Sequence, residues 1–477
     1  MNCDNNANRI RKRILIEVAT LAMQDRLEQD LDRVPVQLHP RKGQAVRCCV
    51  HRDRAVARYR IMAALGHRVE SETDELKPLR EYALEALERK KPEGPVFTVI
   101  DEGCSACLKG RHIVSNMCRG CVARPCMVNC PKDAIQMVKG KAHIDEDMCV
   151  DCGLCKKVCP YNAIVYVPVP CEEACPVKAI SKTEDGIEAI DRDKCIGCGK
   201  CLEACPFGAI MERSQLVDII AKLKQRRAPV VAMMAPALVG QFPNPYPQVR
   251  AAARRLGFDA VVDVAGGAEQ TAAEEAAEWI QRMEQGLPFM TTSCCPAYVQ
   301  LAKKHIPQLL PYVSHTPSPM HFTARQVRQD NPEAVTVFVG PCTAKRTEAY
   351  DDPCVDFVLT TEEFGAMLVA AGIEIDECVP EEGETLGATR FARSGGVTES
   401  VNAHVQGEMR LNAVQIDGID RKAVTMLKTF AKGHCAGNFV ECMSCTGGCV
   451  GGPVTIEKTA KAKGRIDKAV NAKRVAT

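Results

Sequence analysis

A chain of 477 residues is too long for one compact core, so two or three domains are expected. A formal net charge of +2, a single Trp and 4% aromatics argue against nucleic-acid binding by charge or base stacking, and no run of about 18 apolar residues offers a membrane span or signal anchor. Cysteine is the outlier: 28 of them, behind a charged N-terminus, point to a reducing, cytoplasmic setting in which thiols bind metal.

Residues 1–97 are cysteine-poor. Ile10, Ile14, Ile16, Val18, Leu21 and Met23, then Arg58 to Leu65 and Leu79 to Leu87, carry the spacing of amphipathic helices, broken near Pro35 and Pro40. No function can be read from this part, although the basic stretch Arg41 to Arg60 is a candidate surface for docking an acidic ferredoxin.

Residues 98–212 hold the cysteine-rich middle, with 16 cysteines from Cys104 to Cys205. Cys149-x2-Cys152-x2-Cys155-x3-Cys159-Pro160 and Cys195-x2-Cys198-x2-Cys201-x3-Cys205-Pro206 are both the bacterial ferredoxin run, in which three thiolates grip one four-iron cluster and the fourth reaches a neighbouring one. Cys118-x2-Cys121-x4-Cys126-x3-Cys130-Pro131 is a stretched copy. The expected inner pair is therefore Cys118, Cys121, Cys126 with Cys159, and Cys149, Cys152, Cys155 with Cys130. The half-motif Cys171-x3-Cys175-Pro176 lacks its first two ligands, and Cys104-x2-Cys107 supplies that spacing upstream. A ferredoxin inserted inside a ferredoxin follows, its outer unit holding Cys104, Cys107, Cys171 with Cys205, and Cys195, Cys198, Cys201 with Cys175. A zinc site is the alternative for the set that spans the insertion. Several clusters in one module read as an electron relay with a consumer downstream.

From Ala228 onward, strand-like runs (Val230 to Met234, Ala260 to Val264, Val335 to Val339, Phe357 to Leu359) alternate with helical stretches (Ala272 to Arg282, Thr361 to Ala370), an α/β pattern. The Lys-rich residues after Pro453 read as a solvated basic helix or tail. Residues 213–477 carry three further cysteine motifs: Thr292-Ser293-Cys294-Cys295-Pro296, Pro341-Cys342-Thr343-Ala344-Lys345, and Glu441-Cys442-Met443-Ser444-Cys445-Thr446-Gly447-Gly448-Cys449. Each ends a strand-like run or lies in a Gly-rich loop, where loop tips converge on a buried ligand.

On these three motifs the chain resembles the FeFe hydrogenases over about residues 98–455, and in detail their monomeric group B branch. The fold this implies is a two-lobed α/β catalytic domain, preceded by ferredoxin-like α+β modules with four 4Fe-4S clusters and a small helical N-terminal region. The cofactor implied is the H-cluster, a four-iron cubane joined to a diiron unit with CO, cyanide and dithiolate ligands. Carried over by position, Cys295, Cys342, Cys445 and Cys449 would hold the cubane, with Cys449 bridging to the diiron unit. Cys294 would pass the proton, an ordinary thiol pKa of about 8.5 suiting transfer both ways. Lys345 would face one cyanide, Ala235 and Pro236 the other, and Met443 would pack near the diiron unit. Without the resemblance, Lys345 and Met443 read as ordinary surface and core residues. Glu275, Glu278 and Arg282 share one helical face and, with Ser314, match the family's proton channel; by themselves they read as a solvated face.

The implied activity is reversible reduction of protons to dihydrogen, with electrons from a soluble ferredoxin or similar low-potential carrier and the diiron unit inserted by maturation proteins. Departures from the family pattern are Gly340 for a methionine, Tyr298 for a tryptophan, Met320 for a glutamine and a shortened last glycine run at Gly451-Gly452-Pro453; they bear on the packing around the cofactor. Two other readings are a non-catalytic iron-sulfur assembly relative, a branch that typically lacks the Cys294 thiol, and a hydrogen sensor, for whose appended module the N-terminal part is short and helical. Cys3, Cys48, Cys49, Cys354, Cys378, Cys435 and Cys442 complete no ligand spacing and are expected as buried free thiols.

Overall fold

A computed structural model describes residues 5–104, 107, 111–381 and 387–474. The helices Asn6–Met23, Val50–Ala64 and Leu79–Glu88 form where the apolar spacing predicts, the first opened by Asn5, whose side chain accepts the Asn8 N–H. Pro35 does not break this region. It sits in the first turn of a short helix, Val34–Leu38, where its missing N–H costs nothing.

These helices are built into the rest of the molecule. Ile14, Leu15 and Val18 share one core with Ala232, Met234, Val337 and Leu359, which belong to a parallel sheet more than 200 residues away in sequence. Arg11 forks onto Glu362 through two 2.9 Å hydrogen bonds, both side chains buried. Removing one partner of such a pair costs about 3–5 kcal/mol. The arginines of the basic stretch are spent in the same way: Arg47 on Asp53 and the Phe207 carbonyl, Arg52 on Glu102 O, Arg54 on His39 O, Arg58 on Lys77 O, and Arg60 on Phe207 O and Gly208 O. These hydrogen bonds fix the orientation of the guanidinium groups from Arg47 to Arg60, while Arg41 and Lys42 of the same stretch are exposed.

The cysteine-rich middle consists of antiparallel strand pairs nested one inside another. Phe97–Val99 pairs with Ile210–Glu212, and within that span Arg111–Val114 pairs with Ile164–Val167. Two further hairpins, Ile135–Val138 with Lys141–Ile144 and Ile180–Lys182 with Glu188–Ile190, lie one in each unit.

Two parallel sheets follow. The first runs Ala260–Asp263, Val230–Met234, Val335–Gly340, Phe357–Thr360; the second runs Met290–Thr291, Phe439–Met443, Ala413–Asp417. Val230–Met234 and Phe439–Met443 are buried at every residue, as strands covered on both faces must be. The 21-residue helix Val264–Glu284 follows directly from the first sheet and packs against the helices Pro319–Asp330 and Gly396–His404. The Lys-rich C-terminal segment is a helix, Thr459–Arg474, but not the solvated one expected: Ala462, Ile466 and Val470 bury an i, i+4, i+8 stripe against Ala237, Ala392 and Val450. The lysines hid that stripe. Among the described residues no helix is long and apolar enough to cross a membrane.

Candidate functional site

Parallel strands present ligands at their carboxyl ends, and both sheets use that edge. Cys294 and Cys295 lie just beyond Met290–Thr291, with Cys295 capping the helix Pro296–His305. Cys342 sits between Val335–Gly340 and the helix Ala344–Asp351. Cys445 and Cys449 follow Phe439–Met443, and Ala235 and Pro236 follow Val230–Met234. The structure brings all of them, with Lys345 and Met443, to the wall of one cavity of about 90 Å³.

The donor set suits a thiolate-bound cluster. Backbone N–H groups of Tyr298 and Ser444 point at the Cys295 sulfur, and those of Lys345 and Ala344 at Cys342. Burial first, and then the neighbouring sulfurs, push these thiols up, Cys342 to about 11 and Cys449 to about 12, a proton affinity that a bound metal replaces. A single zinc ion needs its sulfurs about 2.3 Å from one point. Among the described residues no three His, Cys, Asp or Glu side chains gather that way; the four sulfurs line the cavity.

Lys345 is buried, its Nζ 2.6 Å from Glu348 Oε2 and 3.0 Å from Ser318 Oγ. Burial works against its charge, but Glu348 and the sulfurs of Cys342 and Cys294 outweigh it, so the ammonium stays charged at the cavity wall. Cys294 is pushed well above an ordinary thiol, first by burial and then by Glu275, Cys295 and Cys449. That corrects the expectation of a near-ordinary pKa: before any metal binds, the site holds this thiol in its protonated form.

Glu275, Glu278, Arg282 and Ser314 are also brought together. Glu275 is fully buried; its Oε1 accepts the Ser293 N–H at 3.1 Å, and its Oε2 has no partner. Burial, reinforced by Glu278, pushes this carboxyl up to about 8. Glu278 is burdened by burial too, yet its pKa is lowered, because Ser314 Oγ at 2.5 Å, His315 N–H at 2.8 Å, Thr316 Oγ1 at 2.9 Å and Arg282 at 2.6 Å all favour the charged form. Glu278 and Arg282 line an open surface cleft of about 720 Å³. The order inward is therefore cleft, Glu278, Ser314, Glu275, Cys294, cavity. Ser293 and Thr316 are members of this chain that the sequence did not single out; the only signal was adjacency to Cys294 and Ser314.

The 16 middle cysteines fall into the four expected groups. Cys130, Cys149, Cys152 and Cys155 line one small cavity, and Cys118, Cys121, Cys126 and Cys159 another. Cys104, Cys107 and Cys171 feel Cys205, while Cys195, Cys198 and Cys201 feel Cys175. Cys198 also lines the cavity of Cys294 and Cys295, and Thr343 Oγ1 donates to Gly197 O at 2.9 Å beside it. The last group of the outer unit thus abuts the cavity.

Comparison with known proteins agrees with this arrangement. Residues 228–453 match the family described as iron only hydrogenase large subunit, C-terminal domain; residues 142–165 match a 4Fe-4S binding domain and 165–216 the LdpA Fe-S cluster-binding domain. The periplasmic [Fe] hydrogenase large subunit of Nitratidesulfovibrio vulgaris is 31% identical over 370 residues, 65% of this chain and 85% of that protein. This chain belongs to the FeFe hydrogenase family.

Iron hydrogenase 1 of Clostridium pasteurianum is 31% identical over 385 residues, 68% of this chain and 66% of its own length. Cytosolic iron-sulfur assembly component 3 of Rattus norvegicus is 27% identical over 260 residues, 42% of this chain and 54% of that one. A solved FeFe-hydrogenase from Chlamydomonas reinhardtii is 22% identical with a TM-score of 0.43, covering 51% of this chain and 84% of that chain. The family therefore includes both hydrogenases and assembly factors.

The departures from the family pattern have physical counterparts. At Gly340 a Cβ would meet the Phe338 ring at 2.8 Å and Ala235 Cβ at 2.9 Å, so Phe338 fills the space a side chain there would need. Tyr298 is fully buried, its hydroxyl 2.6 Å from Thr291 Oγ1, and Met320 lines the cavity. Of the leftover cysteines, Cys378 and Cys442 are buried and Cys354 and Cys435 half-buried as free thiols. Cys48 and Cys49 are exposed, contrary to expectation, because they lie in the irregular approach to the helix Val50–Ala64. Cys3 lies outside the described residues.

Proposed function

We propose that this chain is a hydrogenase that interconverts two protons and two electrons with dihydrogen. One observation carries the reading: a half-buried thiol, Cys294, lines a cavity walled by four further cysteines, close to the inner end of an acid chain that starts in an open surface cleft. A protein that only stores or hands on cubanes has use for Cys295, Cys342, Cys445 and Cys449, and none for this path.

The roles divide as follows. Cys295, Cys342, Cys445 and Cys449 would hold the cubane of the H-cluster, and Cys449 would also serve its diiron part. When bound, the diiron unit supplies the redox-active metal site at which protons and electrons combine. Cys294 holds a proton on Sγ at the cavity wall and regains it from the Glu275 carboxyl, whose raised affinity lets it carry a proton near neutral pH. Glu278, fixed by Ser314, Thr316 and Arg282, exchanges protons with the cleft. Lys345, held by Glu348 and Ser318, presents a desolvated ammonium to an anionic ligand. The apolar wall, Ala235, Pro236, Phe338, Met320 and Met443 among it, excludes water. Electrons enter from ferredoxin or a similar low-potential carrier, pass through the four cysteine groups and arrive beside Cys198. The diiron unit depends on maturation proteins, and the setting is a reducing cytoplasm.

Infrared spectroscopy of the protein after maturation tests the reading. Combined CO and cyanide stretching bands together with hydrogen turnover are expected. Cubane signals without those bands would make the chain a non-catalytic assembly relative, and bands with only trace turnover a hydrogen sensor.

A further inference from the structure

Each of the four Cys-Pro turns that complete the cysteine groups repeats one hydrogen bond. The backbone N–H four residues after the cysteine points back at its sulfur: Ala134 to Cys130 at 3.3 Å, Ala163 to Cys159 at 3.4 Å, Ala179 to Cys175 at 3.1 Å, Ala209 to Cys205 at 3.4 Å. In all four the preceding residue is left-handed, with φ between 49° and 57°. The fourfold repetition provides an internal control, and one copy differs.

At Asp133, Asn162 and Lys178, among the described residues, no side chain donates to the carbonyl of the peptide that carries the N–H···S bond. At Gly208 one does. Arg60 Nη2 donates to Gly208 O and to Phe207 O, both at 2.9 Å, and Arg47 Nη2 reaches Phe207 O at 3.1 Å. The residue type follows: three turns carry Asp, Asn or Lys at the left-handed position, whereas the fourth carries glycine, and a Cβ there would lie 2.5 Å from Arg60 Nη2. One peptide unit is thus held between a guanidinium on its oxygen and a cluster sulfur on its N–H, a chain in which each hydrogen bond polarises the next.

The charge on Arg60 also has no carboxylate partner within ion-pair distance. It is 2% exposed, its Nε has no partner, and its bonds go to carbonyls, as do those of the buried Arg213, whereas the buried Arg11 and Arg346 are paired with Glu362 and with Glu212 plus Glu363. Burial, then repulsion from Arg47, lowers Arg60 to about 10, with the Cys205 sulfur opposing; the group stays charged at neutral pH. An uncompensated buried cation is costly unless something anionic balances it. A thiolate-bound cluster does, and more so after reduction, when one electron from the external donor leaves the cluster one charge more negative with no atom gained or lost.

We propose that Arg60 is a positioning residue for the cluster of Cys104, Cys107, Cys171 and Cys205, acting through the Gly208–Ala209 peptide on the Cys205 sulfur to raise that cluster's reduction potential. This gives the N-terminal helices a role in the electron path: they deliver the cation. The inference rests on the cluster assignment made above, which the iron, sulfide and zinc content of the unaltered protein decides on its own; zinc in place of a fourth cubane would overturn the assignment and the inference with it.

The test is a reductive titration followed by electron paramagnetic resonance, on full-length protein carrying its cubanes but no diiron unit. In Arg60→Met, one of the five cubane components is expected to show about a tenfold lower ratio of reduced to oxidised cluster at a given poise, which is about 59 mV for a one-electron couple. Arg60→Lys, which keeps the charge, recovers part of that shift, and Arg47→Gln moves the same component less. Unchanged components in Arg60→Met, or all of them shifting together, would overturn the proposal. If Arg60→Met does not fold, Arg47→Gln decides: a shift confined to one component supports the charge effect, and no shift removes it.

Discussion

On the proposed reading, the two carriers that would meet at the cavity travel through regions built on opposite principles. On the proton side, Glu278 accepts from Ser314 and Thr316, and Ser293 donates to the Thr316 carbonyl and, through its N–H, to Glu275, so the polar groups lie in close succession, as proton transfer between neighbouring groups requires. On the electron side, four cysteine groups are separated by apolar packing and short hairpins, with no continuous polar path needed. The proposal thus predicts that loss of a proton-path residue is severe, whereas the electron path tolerates loss at its outer end.

The largest effect expected from that difference is at Cys294. Cys294→Ala should lower hydrogen turnover by about 10³-fold or more while the cubane signals stay unchanged; near-normal turnover would remove the thiol from the path. Glu275→Gln comes next, at about 10²-fold in turnover, read against unchanged infrared bands. If Glu275→Gln is as active as the unaltered protein, protons reach Cys294 by another route. Cys152→Ser, at an exposed member of the inner unit, should cost less, and should slow ferredoxin-linked turnover more than turnover with a small dye. A loss there as deep as that of Glu275→Gln would erase the distinction between the two paths.

The smallest effect is on stability. Glu275 binds its proton more tightly folded, up to about 8, than at its ordinary value of 4.5. The folded state therefore holds more protons across that window, and this group makes stability fall as pH rises from about 4.5 to about 8, with a slope approaching about 1.4 kcal/mol per pH unit. Denaturant titrations at several pH values should show a shallower decline in Glu275→Gln; an identical slope would mean the carboxyl is not desolvated.

The same contrast explains what could be read from the sequence. The electron side was legible because cluster ligands must be cysteines at fixed spacing, and even the interrupted outer motif could be completed by counting. The proton side used Glu, Ser, Thr and Arg, whose function comes from burial: Glu275 differs from the neighbouring Glu274 only in facing Ser293 and not a solvent-facing cleft. Spacing placed Glu275, Glu278 and Arg282 on one face, but only resemblance gave that face a role. The anchoring of Arg47, Arg52 and Arg60 was illegible for a related reason, since carbonyl acceptors brought from distant segments are invisible in a local pattern.

The nested hairpins have one further consequence. Arg111 pairs directly with Val167, so the stretch between them enters and leaves the protein at adjacent points. Such a segment behaves like an extension lead: it can be lengthened, exchanged or cut out at its plug without rewiring the socket.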